Sequence, residues 1–258
     1  KNYLFIYLLL PILLISKFGK ALESPWSGIQ EAKVRLISPL SNTNSSNEIV
    51  VGLEYVLKKG WKTYWKSPGA GGFPQEIDYS ASQNISDITL KWPTPTKFSI
   101  LGLKSLGYQD QVVFPIKIRL VDTLKPAEID LKIQFLICKD ICIPGSANIK
   151  LLIPFGKKAT ITKHANVLEK YISLSPIEHT NHLDINIINS ILYKNKNDII
   201  FDIEIEKKDP FINPKIYIHN NQGLPVVEPI ITFNKVKKKL NAKYLYKDTN
   251  INLSNSKV

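Results

Sequence analysis

Two cysteines, the whole complement of the chain, stand four apart in Cys138-Lys139-Asp140-Ile141-Cys142. A pair so spaced closes a disulfide, exchanges it with another thiol, or offers two thiolates to a soft metal. The flanking residues decide where the sulfurs point. Before the pair, Ile129, Leu131, Ile133, Phe135 and Ile137 alternate with Asp130, Lys132, Gln134 and Leu136. After it, Ile143, Ala147, Ile149, Leu151 and Ile153 alternate with Ser146, Asn148, Lys150 and Leu152. A period of two is that of strands with one buried face, so the segment reads as a hairpin with the cysteines at its tip. The apolar positions are odd and the cysteines even. Both sulfurs therefore lie on the face turned away from the core, where a purely structural pair would more naturally point inward.

The register follows from one proline. With Cys138 opposite Cys142, Leu136 falls opposite Pro144, and proline has no N–H to give to a ladder. That favours a non-hydrogen-bonded site there and, two residues along, at the cysteines, with Cα atoms roughly 4.5 Å apart. Disulfides close at such a separation. As a staple the bond would be weak: a loop of about five residues gains about 2 kcal/mol on the loop-closure model, against about 5 for about 100 residues. A chain of 258 residues buries a core without that help. The spacing points to a redox switch and leaves a hairpin-pinning disulfide open as the other reading.

Other residues of chemical interest carry weaker signals. Trp61, Tyr64 and Trp65 read first as core packing and loop anchoring, and second as an aromatic ligand cluster. Gly69, Gly71 and Gly72 suggest a tight loop with positive φ; no strand-to-helix transition follows, so no phosphate cradle is expected. His179 and His182 lack a clear helix and a third ligand and read as surface histidines. Copper would need clustered soft ligands, and since the chain has no methionine it would have to use the cysteines. No cofactor and no metal site are expected.

The elements that must position the pair are strands. Val34 to Ile37, then Ile49, Val51, Leu53, Tyr55 and Leu57, then Ile88, Leu90 and Trp92, precede Val112 to Leu120 and the cysteine hairpin. Turn-forming stretches separate them, at Ser41 to Asn47, Lys58 to Gly60, Ser67 to Pro74 and Lys125-Pro126. Short strands at this spacing predict an all-β, antiparallel β-sandwich. The helical spacing of Ala165, Leu168, Tyr171 and Ile172 marks a connector that ends before Pro176. Beyond it, Ile199 to Glu206, Lys215 to His219, Ile230 to Phe233 and Leu240 to Tyr246 predict a second, smaller β-domain. The expected division is a leader over 1–21, a sandwich over 22–157, a partly helical connector over 158–178 and the second domain over 179–258.

The leader sets the compartment. Lys1 and Asn2 precede an apolar run from Tyr3 to Ile15, and Gly19-Lys20-Ala21 is a small-x-small cleavage site. That is the pattern of a secretory signal peptide; an uncleaved anchor is the alternative, against which the run is short and broken by Pro11. Disulfide chemistry suits the oxidising space such a peptide leads to. The net charge of +12 comes from lysines scattered among asparagines and isoleucines, with no nucleic-acid motif beside them. Neither a nucleic acid nor a small-molecule substrate is expected.

Three segments then point to one family: Gly60-Trp61-Lys62-Thr63-Tyr64-Trp65-Lys66-Ser67-Pro68-Gly69 with Gly71-Gly72-Phe73-Pro74, Gly107-Tyr108 through Val113-Phe114-Pro115-Ile116, and Cys138 to Pro144. In this order they resemble the N-terminal periplasmic domain of DsbD-type thiol:disulfide interchange proteins, most closely the ScsB-like branch associated with copper tolerance. The resemblance covers about 25–155 well and the second domain weakly, through Asp209-Pro210-Phe211.

It implies an immunoglobulin-like sandwich in the periplasm carrying a redox-active dithiol. Such a domain takes electrons from a membrane protein of DsbD/CcdA type and passes them to periplasmic thioredoxin-fold proteins. By the same resemblance Cys142 is the sulfur that forms mixed disulfides, Cys138 resolves them, and a cap loop over Phe98 to Gly107 shields the pair, with Phe98, Leu101 and Tyr108 as its candidate residues. An acidic, aromatic cap is the family pattern; here the segment reads Phe98-Ser99-Ile100-Leu101-Gly102-Leu103-Lys104, without carboxylates. Family members continue into a multi-helix membrane domain and a thioredoxin-like domain, so a separate membrane protein or a downstream segment is expected to supply the electrons. The readings set against this one are a non-enzymatic binding or assembly module with a structural disulfide, and copper(I) sequestration by the dithiol.

Overall fold

The computed structural model describes residues 22–69, 71–100, 102–177, 184–219 and 225–247. The proposed leader, Leu101, His179 and His182 lie outside them. The chain is nearly all strand. In order come β1 (Leu22–Glu23), β2 (Ser27–Ile29), β3 (Ala32–Ser38), β4 (Glu48–Leu57), β5 (Lys62–Tyr64) and β6 (Glu76–Asp78). Then follow β7 (Ile85–Leu90), β8 (Thr96–Ile100), β9 (Leu103–Gln109), β10 (Gln111–Leu120), β11 (Ala127–Cys138) and β12 (Cys142–Ile153). Helix α1 (Ala165–Ser173) leads on to β13 (Ile185–Asn195), β14 (Asp198–Lys207), β15 (Ile230–Phe233) and β16 (Lys239–Tyr246).

Two antiparallel sheets make the sandwich. One has the order β1-β3-β4-β10-β7 with β2 beside β3; the other has the order β12-β11-β5-β9-β8 with β6 beside β11. Alternation fixes what faces inward. Val51, Leu53 and Tyr55 of β4 and Phe114, Ile116 and Ile118 of β10 meet Ile129, Leu131, Ile133, Phe135 and Ile137 of β11. Tyr55 bridges the layers, its ring edge-on to Phe114 at 5.6 Å and to Phe135 at 5.4 Å. Side chains of this size stabilise by about 1.5–3 kcal/mol each when fully buried, so this interior holds the sandwich without the cysteines.

The helix does more than connect. Leu168 is buried against Ile37 and Val113 on the outer face of the first sheet. Gly52 makes the room, since a Cβ there would stand 2.7 Å from Val113, 2.9 Å from Ile37 and 3.1 Å from Leu168. Tyr171 anchors the far side by donating its hydroxyl to Gln111 O at 3.0 Å.

A third antiparallel sheet, β13-β14-β16-β15, builds a smaller core from Ile199, Leu240, Ala242, Tyr244 and Tyr246. One expected strand is absent from it: Lys215 to His219 joins no ladder. Its aromatic residues serve a different contact. Tyr217 and His219 pack against Trp65 of the sandwich, and Tyr217 donates to Pro95 O at 3.3 Å. Tyr217 and Val226, from the stretch between β14 and β15, also pack against the main core.

Candidate functional site

The hairpin forms in the register that Pro144 dictates. Cys138 faces Cys142, Leu136 faces Pro144, and the alternation runs unbroken to Ala127 opposite Ile153. The two cysteines are joined in a disulfide with Cα atoms 4.1 Å apart. They sit on the face of β11 and β12 opposite the main core, as their even positions require.

That face is not bare. Ile137 pairs with Thr63 and Cys138 with Lys62 in the neighbouring β5, and Tyr64 in turn pairs with Gly107 of β9. Residues paired across a ladder share a face, so Lys62 and Tyr64 stand on the cysteine side while Thr63 and Trp65 turn inward. The same rule carries outward through β9 to β8, where Phe98 pairs with Ser105 and Ile100 with Leu103. Tyr64, Ile100, Leu136 and Cys138 form a small separate hydrophobic cluster with Phe98 packed against it. Cys138 is thereby 0% exposed, whereas Cys142 remains open to solvent. One sulfur is sealed and the other presented.

Tyr64, read from the sequence as core packing or loop anchoring, instead stands against the disulfide. Its hydroxyl donates to Cys138 Sγ at 2.9 Å and lies 3.9 Å from Cys142 Sγ. Gly71 O is a second acceptor at 3.0 Å. Burial pushes the phenol above its ordinary pKa, so the oxygen keeps its proton at neutral pH. The glycine loop fits around this ring: a Cβ at Gly72 would collide with it, and Gly69 takes a φ of 93° that only glycine accepts readily. Gly71 and Gly72 do not share the positive φ expected of them; they are small because Tyr64, Leu103 and Ser105 are close. Sequence alternation in Lys62-Thr63-Tyr64-Trp65 was the available signal, but it names a face only once the partner strand is known.

The expected cap residues divide. The segment Phe98 to Gly107 is not a loop but the β8–β9 hairpin, turning at Gly102 with a φ of 80°. Phe98 does lie over the cysteine face, joined by Ile100. Leu101 is outside the described residues. Tyr108 does not belong with them: its ring meets Phe114 edge-on at 5.1 Å in the main core, and its hydroxyl donates to Pro93 O at 2.6 Å. The cause is parity, since Tyr108 pairs with inward-facing Thr63. Gly107 lies in mid-ladder, where a side chain would run into Thr63 O.

Near the pair lie half-buried Lys62 and the exposed Lys139 and Asp140. Lys62 donates to Gly60 O and hangs 5.8 Å over the Phe98 ring. Lys139 stands 3.9 Å from Asp140. Among the described residues no three of His, Cys, Asp and Glu come together as a metal group, and no helix is long and apolar enough to cross a membrane.

Residues 33–154 match the family described as thiol:disulfide interchange protein DsbD, N-terminal. A solved structure, the N-terminal periplasmic domain of ScsB from Proteus mirabilis, is 23% identical and superposes with a TM-score of 0.62. That match covers 89% of this chain and 87% of the other, so the likeness in fold reaches beyond the sandwich to the third sheet. No curated protein matches the chain.

Proposed function

Residues 33–154 being a DsbD-type N-terminal domain, we propose that the chain is a periplasmic thiol–disulfide interchange module working through Cys138 and Cys142. Electrons enter from a membrane thiol:disulfide partner and leave to a thioredoxin-fold protein. The observation that carries the reading is the asymmetry of the pair: Cys138 is sealed under Tyr64, Phe98 and Ile100 while Cys142 is exposed. A disulfide serving only to pin a hairpin has no use for such an arrangement. An exchange centre does, because an incoming thiolate must reach one chosen sulfur along the S–S axis.

The roles follow from access. Cys142 is the partner-facing sulfur, taking the mixed disulfide, and Cys138 is the resolving sulfur. Phe98 and Ile100 are the cap, and the β8–β9 turn at Gly102 is the part free to yield when a partner docks. The test is the reduction potential of the pair, read from free thiols after equilibration with glutathione or dithiothreitol buffers. An exchange module falls among the potentials of working dithiols; a value well below about −300 mV, the range of inert structural disulfides, overturns the reading.

A further inference from the structure

We propose that Tyr64 is a catalytic residue of this exchange, its hydroxyl holding the sulfur that leaves when the disulfide opens. The proposal rests on the reading of the pair as an exchange centre and assigns a chemical role inside it. Tyr64 Oη lies 2.9 Å from Cys138 Sγ but 3.9 Å from Cys142 Sγ, so the donor favours one sulfur. That sulfur is the buried one, which no bulk water stabilises as it gains charge.

The hydroxyl has one proton and two acceptors. In the oxidised protein Gly71 O, at 3.0 Å, competes for it with a disulfide sulfur, which is a weak acceptor. Once the bond opens, a thiolate takes its place, and charge-assisted bonds are roughly twice as strong as neutral ones. The interaction therefore strengthens toward the transition state, which is the condition for raising a rate rather than merely binding the ground state. Burial raises the Tyr64 pKa and keeps the donor intact. Lys62 and Lys139, the cations nearest the pair along the chain and the ladder, point their ammonium groups to Gly60 O and Asp140.

The step balances as follows. A thiolate of a dithiol reductant attacks the exposed Cys142 Sγ. A bond forms between those two sulfurs, the Cys138–Cys142 bond breaks, and its electron pair goes to Cys138 Sγ, where the Tyr64 O–H bonds it. The second thiolate of the reductant attacks its own sulfur in the mixed disulfide, closing the reductant's disulfide and releasing Cys142 as thiolate. Two electrons pass from the dithiol to the protein, and solvent supplies the protons that the two cysteines take up.

Tyr64→Phe removes the oxygen and keeps the ring. Reduction of the oxidised variant by dithiothreitol is expected to be about tenfold slower than that of the parent, the loss of one hydrogen bond to a charged group. A second pair of proteins isolates the leaving group. Cys138→Ala carrying glutathione on Cys142, with and without Tyr64→Phe, should be reduced at nearly equal rates, because the leaving sulfur there is that of glutathione or Cys142 and Cys138 Sγ is gone. An unchanged or faster rate in the first comparison overturns the proposal, as does an equal slowing in both. Because dithiothreitol replaces every protein partner, failure of the parent to exchange with thioredoxin-fold proteins would remove the functional reading alone.

Discussion

Gly69 and Val226 meet where the glycine loop of the sandwich lies against the stretch between β14 and β15: a Cβ on Gly69 would stand 2.8 Å from Val226 Cγ2. Next to this contact Ser67 Oγ lies 2.6 Å from His219 Nδ1, and on the other side of the loop Gly71 O accepts from Tyr64. The loop thus has Val226 and His219 on one flank and the tyrosine over the disulfide on the other. The loop beside the dithiol face is backed by the segment around His219 and Val226.

Gly69→Ala should therefore destabilise the protein by about 1–3 kcal/mol, from strain at a positive φ together with overpacking. Adding Val226→Ala should recover part of that loss, because one of the two obstacles is then removed; Lys104 O, 3.0 Å from the added Cβ, remains. A double-mutant cycle in denaturant reads the coupling. Strictly additive effects would place the strain in the loop alone.

Acid should weaken the sandwich through His164. Burial holds its pKa below the ordinary histidine value, the opposing pull of Glu23 being smaller, and Glu23 itself is held below the usual carboxylate range by Lys163, His164 and Arg35 against the cost of burial. A histidine lowered in the fold binds its proton more readily when unfolded, so its contribution is complete above about pH 6.5 and is lost as pH falls below that. The lowered Glu23 extends the loss toward still lower pH. Denaturant midpoints measured between about pH 7.5 and 5 should fall with acid, and His164→Gln should flatten the upper part of that slope. A parallel slope in the variant would reassign the effect to other groups.

The sandwich was legible because parity is a strong code: Ile129 to Ile137 and Ala147 to Ile153 state the buried face unaided. The cysteine register was legible for a related reason, since Pro144 restricts what can pair with it. What sits opposite a short strand is not written locally. Lys62-Thr63-Tyr64 is three residues long and lies between β11 and β9, so neither Tyr64 over Cys138 nor Tyr108 in the core follows from their own neighbourhoods. The same limit explains Lys215 to His219, whose alternation suits a strand but whose aromatic residues cover Trp65 of the sandwich. The outward face of the pair was read correctly, but its cover comes from Phe98 and Ile100 in β8 and from Tyr64 farther upstream in β5, each placed by pairing with the next strand rather than by its own neighbours.

Uncapping should expose the buried sulfur. Phe98→Ala with Ile100→Ala removes the two side chains of β8 that pack with Tyr64 over Cys138. The pair should cost about 2–4 kcal/mol of stability, as partly buried truncations do, yet leave the main core untouched. In the reduced variant Cys138 should react with a small alkylating reagent much faster, while Cys142, already exposed, changes little. Digestion and mass spectrometry distinguish the two sites. Unchanged labelling at Cys138 in a folded variant would remove the hairpin from the account of shielding.

The assignment of the two sulfurs can be decided by trapping. Cys142 is exposed and stands farther from the Tyr64 hydroxyl, at 3.9 Å, than Cys138 does at 2.9 Å, so a partner's disulfide should be attacked by Cys142 and released by Cys138. Cys138→Ala leaves the attacking thiol without its resolving neighbour, and a mixed disulfide with a thioredoxin-fold protein should accumulate. Cys142→Ala leaves only a thiol under Tyr64, Phe98 and Ile100, to which a macromolecule has no line of approach, and little should be trapped. Combining Cys142→Ala with Phe98→Ala and Ile100→Ala separates chemistry from access. If uncapping lets Cys138 form the mixed disulfide, its silence came from burial alone. If Cys142→Ala traps readily with its cap in place, the roles given to the two sulfurs are reversed.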